Sequence, residues 1–468
     1  MAIILTENKD VFTTENGDTI FALGGDDSVT INDHSDHTVW AGTGNDTVVM
    51  AGFNGNNVIG GGDGNDSVNL QGDGDNKIYG GPDAIGRDTI TVQGNGTNII
   101  FAGGGNDSVT ASGTGEFTIG VGEGNDTVDI GGMTAGNTIV YAGVGQDSID
   151  GNGNLSNDKI FAGDGVDTVD AGGGNDTVWG GAGNDSIDSG EGDSTLGGGD
   201  GRDTINVLGD GNNTIYGGAG DDVVGVTDVA NGGKNFIDGG EGKDSITVAS
   251  SGADTVNGGV GDDTIDVSAG GNDIIDGGEG NDQITYATDP TAGKTTTASV
   301  SGGAGDDAIV VKDGAAAYAA ADKLNLTVNG GDGNDTLDFS GLTAAGAGQN
   351  IGLVADGGAG DDKIIAADLN SFNTGVSIKY TGGAGADIFD FSGITTGAGA
   401  GKVTITDFVS GTDKIDVTGL GLVVTDIVFD AVSGDTTIVL DTGAGVGADF
   451  DVVVTGTKVL TSDLIGFV

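Results

Sequence analysis

Cysteine is absent from this 468-residue sequence, so neither a disulfide framework nor a thiolate metal site is available. Any metal must be held by oxygen or by one of only two histidines. Basic residues number 15 against 72 acidic ones, leaving a formal charge of −57. That charge excludes nucleic acid as a natural partner and builds in strong self-repulsion unless cations bind. No run approaches the roughly 20 apolar residues that a membrane span requires. The opening stretch around Ile3, Ile4 and Leu5 is too short for a signal-peptide core, so any export address is expected elsewhere. Proline occurs twice, whereas glycine occurs 99 times, a composition that points to repetition instead of ordinary globular domains.

The repeat is glycine, any residue, aspartate, any residue, then valine or isoleucine. Clear copies are Gly44-Asn45-Asp46-Thr47-Val48, Gly64-Asn65-Asp66-Ser67-Val68, Gly124-Asn125-Asp126-Thr127-Val128 and Gly280-Asn281-Asp282-Gln283-Ile284. A first series runs through Asp27, Asp46, Asp66, Asp88, Asp107, Asp126, Asp147, Asp167, Asp185, Asp203, Asp222, Asp244, Asp263 and Asp282, thirteen steps of about 19.6 residues on average. A second series falls midway, at 18, 37, 57, 76, 98, 117, 137, 158, 176, 194, 213, 235, 254 and 273. Two residues after every member of both series stands an aliphatic residue, from Ile20 and Val29 to Ile275 and Ile284, with Ile139 following Asn137 and Leu196 following Ser194. Such a pattern predicts short strands whose inward residues stack on their copies one coil away. Glycine-rich turns, with backbone at positive φ, reverse the chain twice per coil. The fold expected is all-β: a parallel β-roll, or β-solenoid, of about fourteen coils over 1–289.

The units Gly61-Gly62-Asp63-Gly64-Asn65-Asp66, Gly180-Gly181-Ala182-Gly183-Asn184-Asp185 and Gly277-Gly278-Glu279-Gly280-Asn281-Asp282 resemble the nonapeptide G-G-x-G-x-D-x-U-x of RTX, or haemolysin-type, calcium-binding proteins. The resemblance implies Ca²⁺ ions between turns of adjacent coils, held by loop carbonyls and by the aspartates of the first series. Ca²⁺ takes about six to eight oxygens at about 2.3–2.6 Å, which glycine-loop carbonyls turned inward can help to supply. On the second edge the aspartate is replaced by His37, Asn57, Asn76, Asn98, Phe117, Asn137, Ser194, Asn213 and Asn235, which predicts little calcium there and, for the asparagines, ladders of side-chain amide hydrogen bonds. Asp158, Asp176, Asp254 and Asp273 restore the ligand type, so ions on both edges are expected near 158–185 and 254–282.

Beyond Asp282 the aspartate spacing widens to 25–28 residues, through Asp307, Asp335, Asp362, Asp387 and Asp413. This reads as coils over 290–400 with lateral insertions: Asp289-Pro290 and a threonine-rich stretch, the alanine-rich Ala315–Ala321 segment, whose composition suits two helical turns, and Gly/Ala runs at 341–349 and 393–401. Over 401–468 the sequence, with Ile405-Thr406-Asp407-Phe408 and a valine-rich end, looks like the C-terminal targeting region of RTX proteins exported by type I secretion machinery. The resemblance thus implies an extracellular or cell-surface protein, unfolded in low calcium and folding outside.

Catalytic motifs are missing. His34 and His37 stand in His-Ser-Asp-His, which is not the HExxH of RTX metalloproteases, and GxGxxG-like strings arise by chance in glycine loops. The repeats begin by residue 18, which leaves no space ahead of them for a catalytic domain, so no enzyme is expected. The residue after the second-edge aliphatic turns outward, and there stand Phe21, Trp40, Tyr79, Phe101, Phe161, Trp179 and Tyr216. These rings either form an interaction face for another subunit or a saccharide, or cover turn glycines as internal stabilisation. The leading expectation is a calcium-dependent structural protein similar to RTX S-layer and biofilm proteins, with self-association. A calcium-stabilised adhesin that binds polysaccharide is the alternative. Ice binding lacks the threonine column it needs.

Overall fold

The computed structural model describes residues 2–14, 17–53, 55–227, 232–268, 270–288, 295–314, 323–342, 350–367, 376–394, 402–418, 423–429, 435–441 and 450–466. The chain divides into two compact units, Met1–Val223 and Val224–Val468. The segment 315–321, Asp289-Pro290 and most of the Gly/Ala runs lie outside the described residues.

In the first unit, strands alternate between two parallel sheets. Thr38–Thr43, Val58–Asp63, Asn76–Gly81 and Thr97–Gly104 belong to one sheet, and Thr47–Phe53, Ser67–Gly72, Thr89–Gly94 and Ser108–Gly113 to the other. Registers are in phase with the repeat, so Val39 pairs with Ile59 and Val48 with Val68. Each aliphatic column is fully buried: Val39, Ile59, Ile78 and Ile100 have no exposed surface, and Val48, Val68 and Val109 almost none. The core is therefore a stack of identical short rungs, each held to the next by main-chain ladders. The turns need glycine at specific places. Gly62 and Gly64 have φ of 116° and 136°, and a Cβ on either would run into the carbonyl of the coil before it, at Gly42 and Gly44 respectively.

One register differs from the expected one. The step from Phe117 reaches Thr138, not Asn137, so that Phe117 pairs with Thr138 and Ile119 with Val140. Thr138 and Val140 are buried, while Ile139 faces outward and is half-buried. A one-residue shift exchanges the two faces of a strand, and Tyr141, 50% exposed, joins the outward rings as a result.

The second unit uses the same coil, with strands such as Phe236–Glu241 and Thr255–Val260, and then widens it. Thr295–Ala304, Lys323–Asp332 and Asn350–Ala359 are ten residues long, where earlier strands of that sheet have about six. The longer spacing after Asp282 therefore includes core-forming strand as well as insertion, since Leu324 and Leu326 are both buried and Ala298 lies beside Leu326 in register. Larger side chains fill the wider interior: Tyr286, Phe339, Tyr380, Phe389 and Phe391 have no exposed surface. Toward the end, Val423–Phe429, Thr436–Asp441 and Phe450–Val454 form an antiparallel set, whose last strand pairs in parallel with Lys402–Ile405. Buried Asp463 fastens the final segment, accepting from Ser410 Oγ (2.7 Å), Leu460 N–H (2.9 Å) and Gly411 N–H (3.1 Å). Among the described residues no helix is long and apolar enough to cross a membrane.

Candidate calcium-binding edges

Each first-edge aspartate sits where a glycine turn enters a strand, and its two carboxylate oxygens are placed differently. Oδ1 accepts the backbone N–H of the equivalent aspartate one coil earlier. Asp46 N–H donates to Asp66 Oδ1, Asp66 N–H to Asp88 Oδ1 and Asp88 N–H to Asp107 Oδ1, all at 2.8 Å. The column continues through Asp126, Asp147, Asp167 and Asp185 to Asp203, and Asp203 N–H donates to Asp222 Oδ1. In the second unit it runs from Asp244 through Asp263, Asp282, Asp307, Asp335 and Asp362 to Asp387. Spacing alone does not reveal this ladder, because it does not say which oxygen faces which neighbour.

Oδ2 is the oxygen of interest. In Asp27, Asp46, Asp66, Asp88, Asp107, Asp126, Asp147, Asp167, Asp185, Asp203, Asp263, Asp282, Asp307, Asp335 and Asp362 it is buried and has no hydrogen-bond partner. A buried, unpaired carboxylate oxygen costs several kcal/mol by order of magnitude unless it gains a proton or a cation. Burial accordingly pushes Asp66, Asp126 and Asp307 up to about 7 and Asp88, Asp147, Asp282 and Asp362 up to about 6. Their backbone hydrogen bonds oppose the shift, and the next aspartates in the column add to it.

Main-chain carbonyl oxygens lie close to Oδ2. A Cβ built on Gly61 would strike Asp66 Oδ2 and lie 2.6 Å from the Gly80 carbonyl oxygen. The same arrangement recurs at Gly180 with Asp185 and Gly198 O, at Gly258 with Asp263 and Gly277 O, and at Gly302 with Asp307 and Gly330 O. Carboxylate and carbonyl oxygens from successive coils thus face one small space kept open by glycine. Hard oxygen donors of this mixed kind fit Ca²⁺. No group of three or more His, Cys, Asp or Glu side chains converges among the described residues, so an ion on this edge would draw on one aspartate per coil plus main chain.

The second edge shows what replaces a cation. Asn57 Nδ2 donates to Gly55 O (2.9 Å) and to Asn76 Oδ1 (2.9 Å), and Asn76 Nδ2 donates to Gly74 O (2.9 Å) and Asn98 Oδ1 (2.8 Å). The amide nitrogen takes up the turn carbonyl that an ion would otherwise hold, which is the expected ladder. His37 is another rung: its N–H donates to Asn57 Oδ1 (3.0 Å), its Nδ1 accepts Asp18 N–H (3.3 Å), and its Nε2 is therefore the protonated nitrogen, set 2.9 Å from Asp33 Oδ1.

The four second-edge aspartates are not equivalent. Asp176 keeps a buried, unpartnered Oδ2 while its Oδ1 accepts Asp158 N–H, and burial pushes it up to about 7. Asp254 and Asp273 continue a rung column from Asn235, at 2.8 and 2.9 Å. Asp158 differs, because Thr138 N–H, Asn154 Nδ2 and Ser156 Oγ already engage both its oxygens. Asp10 and Asp413 stand at ends of the ladder, with Asp407 beside the second. Asp10 N–H donates to Asp27 Oδ1, and the Asp10 carboxylate caps the Thr6 N–H and hydroxyl. Asp413 Oδ1 receives Asp387 N–H at 3.2 Å while its Oδ2 caps Val409 N–H, and Asp407 accepts Gly382 and Gly383 N–H. A carboxylate four residues from its capped amide marks both Asp10 and Asp413, a signal present in the sequence.

Phe21, Trp40, Tyr79, Phe101, Trp179 and Tyr216 lie on the surface, 37–46% exposed, and Phe161 is half-buried. They stack: Trp40 on Tyr79 (6.3 Å), Tyr79 on Phe101 (5.8 Å), Tyr141 on Phe161 (5.2 Å) and Trp179 on Tyr216 (6.4 Å). Trp40 and Trp179 each lean over a glycine, Gly60 and Gly197, where a Cβ would collide with the indole.

Family models agree with this geometry. The RTX calcium-binding nonapeptide repeat matches at 92–113, in overlapping copies across 152–225, at 229–250, 248–271 and 327–341. The C-terminal region of peptidase M10 serralysin matches residues 347–466. None of the curated proteins compared matches the chain. The serralysin name belongs to a protease family, and the part of it that matches is its C-terminal region. The chain is an RTX-repeat protein of the type I secretion class, extracellular, all-β and binding multiple Ca²⁺ ions.

Proposed function

We propose that this chain is a structural, S-layer-like protein of the bacterial cell surface or extracellular matrix, which folds and assembles on binding Ca²⁺ and carries no catalytic role. The observation that supports it is the rung column, in which the buried aspartates that tie coil to coil also present the oxygens a cation needs. Scaffold and ligand are then the same residues. Bound calcium supplies the positive charge that lets these carboxylates stay ionised inside the roll. The first-edge aspartates from Asp27 to Asp387 are the proposed ligands, joined on the second edge by Asp176, Asp254 and Asp273. Asp158, with its oxygens engaged, would have to exchange partners to join them. The proposed division of labour is a regular roll over 1–289, wider coils over 290–400 and a targeting and capping region over 401–468.

The exposed rings favour one alternative, a calcium-stabilised adhesin whose aromatic strip holds a polysaccharide. The two readings separate on chelator-stripped protein titrated with Ca²⁺ while light scattering is followed and the product is imaged by electron microscopy. Ordered sheets or filaments support the structural reading; a protein that folds yet stays monomeric would sink it and leave the adhesin.

A further inference from the structure

The outward rings form one continuous line in the first unit, and its order is specific. Strand register places eleven residues on successive coils of that sheet: Phe21, Trp40, Gly60, Tyr79, Phe101, Gly120, then Tyr141, Phe161, Trp179, Gly197 and Tyr216. No aspartate, glutamate, lysine or arginine interrupts the line, in a chain of net charge −57. In the second unit the same outward position holds Asp238, Asn257, Asp276 and Ser301.

Reversed about Gly120, the line complements itself. Trp40 falls opposite Gly197 and Trp179 opposite Gly60, while Tyr79 meets Phe161 and Phe101 meets Tyr141. By backbone position each tryptophan thus falls opposite a glycine, and every other ring-bearing position falls opposite another. Both tryptophans lean one coil in the same chain direction, over Gly60 and Gly197, so each leaning ring still faces the place that the partner's tryptophan has vacated. At the centre, a hollow of about 240 Å³ remains over Gly120 between Phe101 and Tyr141.

We infer that this strip is an isologous interface, on which a second copy of the chain packs antiparallel with the two-fold axis through Gly120. The inference rests on the self-assembly reading and names its surface. A two-fold contact requires a self-complementary patch, which this order provides. A fully buried aromatic side chain covers about 200 Å². At 37–50% exposure for most of the eight rings, the strip offers roughly 600 Å² per copy, or about 1,200 Å² per pair, the lower bound of stable interfaces. The missing charge matters equally, because two rolls of such net charge approach most easily along an uncharged line and after cations have neutralised their edges. Pairing is therefore calcium-dependent.

The lack of native cysteine gives a clean test on the full chain. Tyr79→Cys and Phe161→Cys are prepared separately, at exposed and half-buried outward positions, and treated in Ca²⁺ with a thiol cross-linker spanning about 10 Å, the distance between packed sheets. Antiparallel pairing puts Tyr79 of one copy opposite Phe161 of the other, but about 19 Å along the strip from its own counterpart, four coils away. The expected result is cross-linked dimer from the mixture, little from either variant alone, and none after chelation. Self-linking of Tyr79→Cys, or no linking in the mixture while the wild-type protein still associates in Ca²⁺, overturns the interface and leaves the assembly reading standing. A wild-type protein that sediments as a monomer in Ca²⁺ overturns both.

Discussion

The two units build the same coil with opposite placement of their large side chains. In the first, most rings stand outside on a narrow roll whose interior is chiefly valine, isoleucine and alanine, with Phe117 the one ring fully buried there among the described residues; in the second, Tyr286, Phe339, Tyr380 and Phe389 lie inside coils widened by ten-residue strands. They differ also at the inward position facing Asp Oδ2. The first unit mixes Ala41, Ala102, Val121, Ala142 and Ala162 with glycine, whereas the second has glycine at 239, 258, 277, 302, 330, 357 and 382. A stacked-coil architecture therefore leaves two choices open at each rung: where bulk goes, and how tightly the carboxylate is cradled. The first unit spends bulk on its surface and the second on its core, while both keep the aspartate column intact.

The sharpest way to break this comparison is to delete a ring from each side. Phe339→Ala should destabilise the calcium-loaded protein by about 3–5 kcal/mol, because Phe339 is fully buried and stacks on Tyr380 at 5.9 Å. Tyr79→Ala should cost about 1 kcal/mol or less in the monomer, as an exposed stacked ring. Equal costs in thermal or denaturant unfolding would contradict the inside–outside distinction.

Filling the cradle is the next largest change. Gly302→Val would drive a side chain into Asp307 Oδ2 and the Gly330 carbonyl, at an overpacking cost of about 1–3 kcal/mol, and should raise the calcium midpoint. Ala102→Val, at the corresponding position of the first unit, should shift it less, since Val121 is already accommodated one coil on. Calcium titrations of the two variants read the difference directly.

The edges respond to charge with opposite sign. Asp203→Asn keeps an oxygen to accept Asp185 N–H (2.8 Å) but turns an amide toward the turn carbonyl, as Asn76 does. Folding of its coils should need less calcium and gain less from it. Asn76→Asp should do the reverse, weakening the chelated protein by about 1–2 kcal/mol and adding calcium dependence to the second edge. Far-UV circular dichroism of both variants, with and without chelator, decides this.

Acidity gives the broadest effect. Asp66, Asp126 and Asp307 titrate near 7 in the metal-free roll against about 3.9 unfolded. A raised carboxyl means that the folded state binds more protons than the unfolded one, so metal-free stability is present below about pH 4 and is lost as pH rises through about 7. Without calcium, β structure should therefore increase on acidification from pH 7.5 to 5. Protons compete for the same oxygens, so the calcium midpoint should rise over that range. A midpoint independent of pH would contradict the assignment of these aspartates.

Much of this was legible in the sequence because period, burial and chemistry coincide at one residue per half-coil. Val29, Val48, Val68 and their successors are buried as their spacing implies. The pattern misleads where one extra residue preserves the chemistry but moves the register: Ile139 and Val140 are both aliphatic, so spacing does not distinguish them, and Tyr141 is missing from the rings it names. Beyond Asp282 the spacing gives the length of the wider coils without saying how much of each is strand. The division of the carboxylate into a rung oxygen and a free oxygen is a matter of side-chain rotamer, which no spacing encodes.

The most direct test of the central claim, that the aspartate column is completed by calcium, is a titration of chelator-stripped full chain at pH 7.5 with bound Ca²⁺ and far-UV circular dichroism measured together. The account predicts a cooperative gain of β signal at about 0.1–1 mM free Ca²⁺, with many ions taken up per chain in the same transition. Full β signal in chelator, with calcium binding only afterwards, would contradict it.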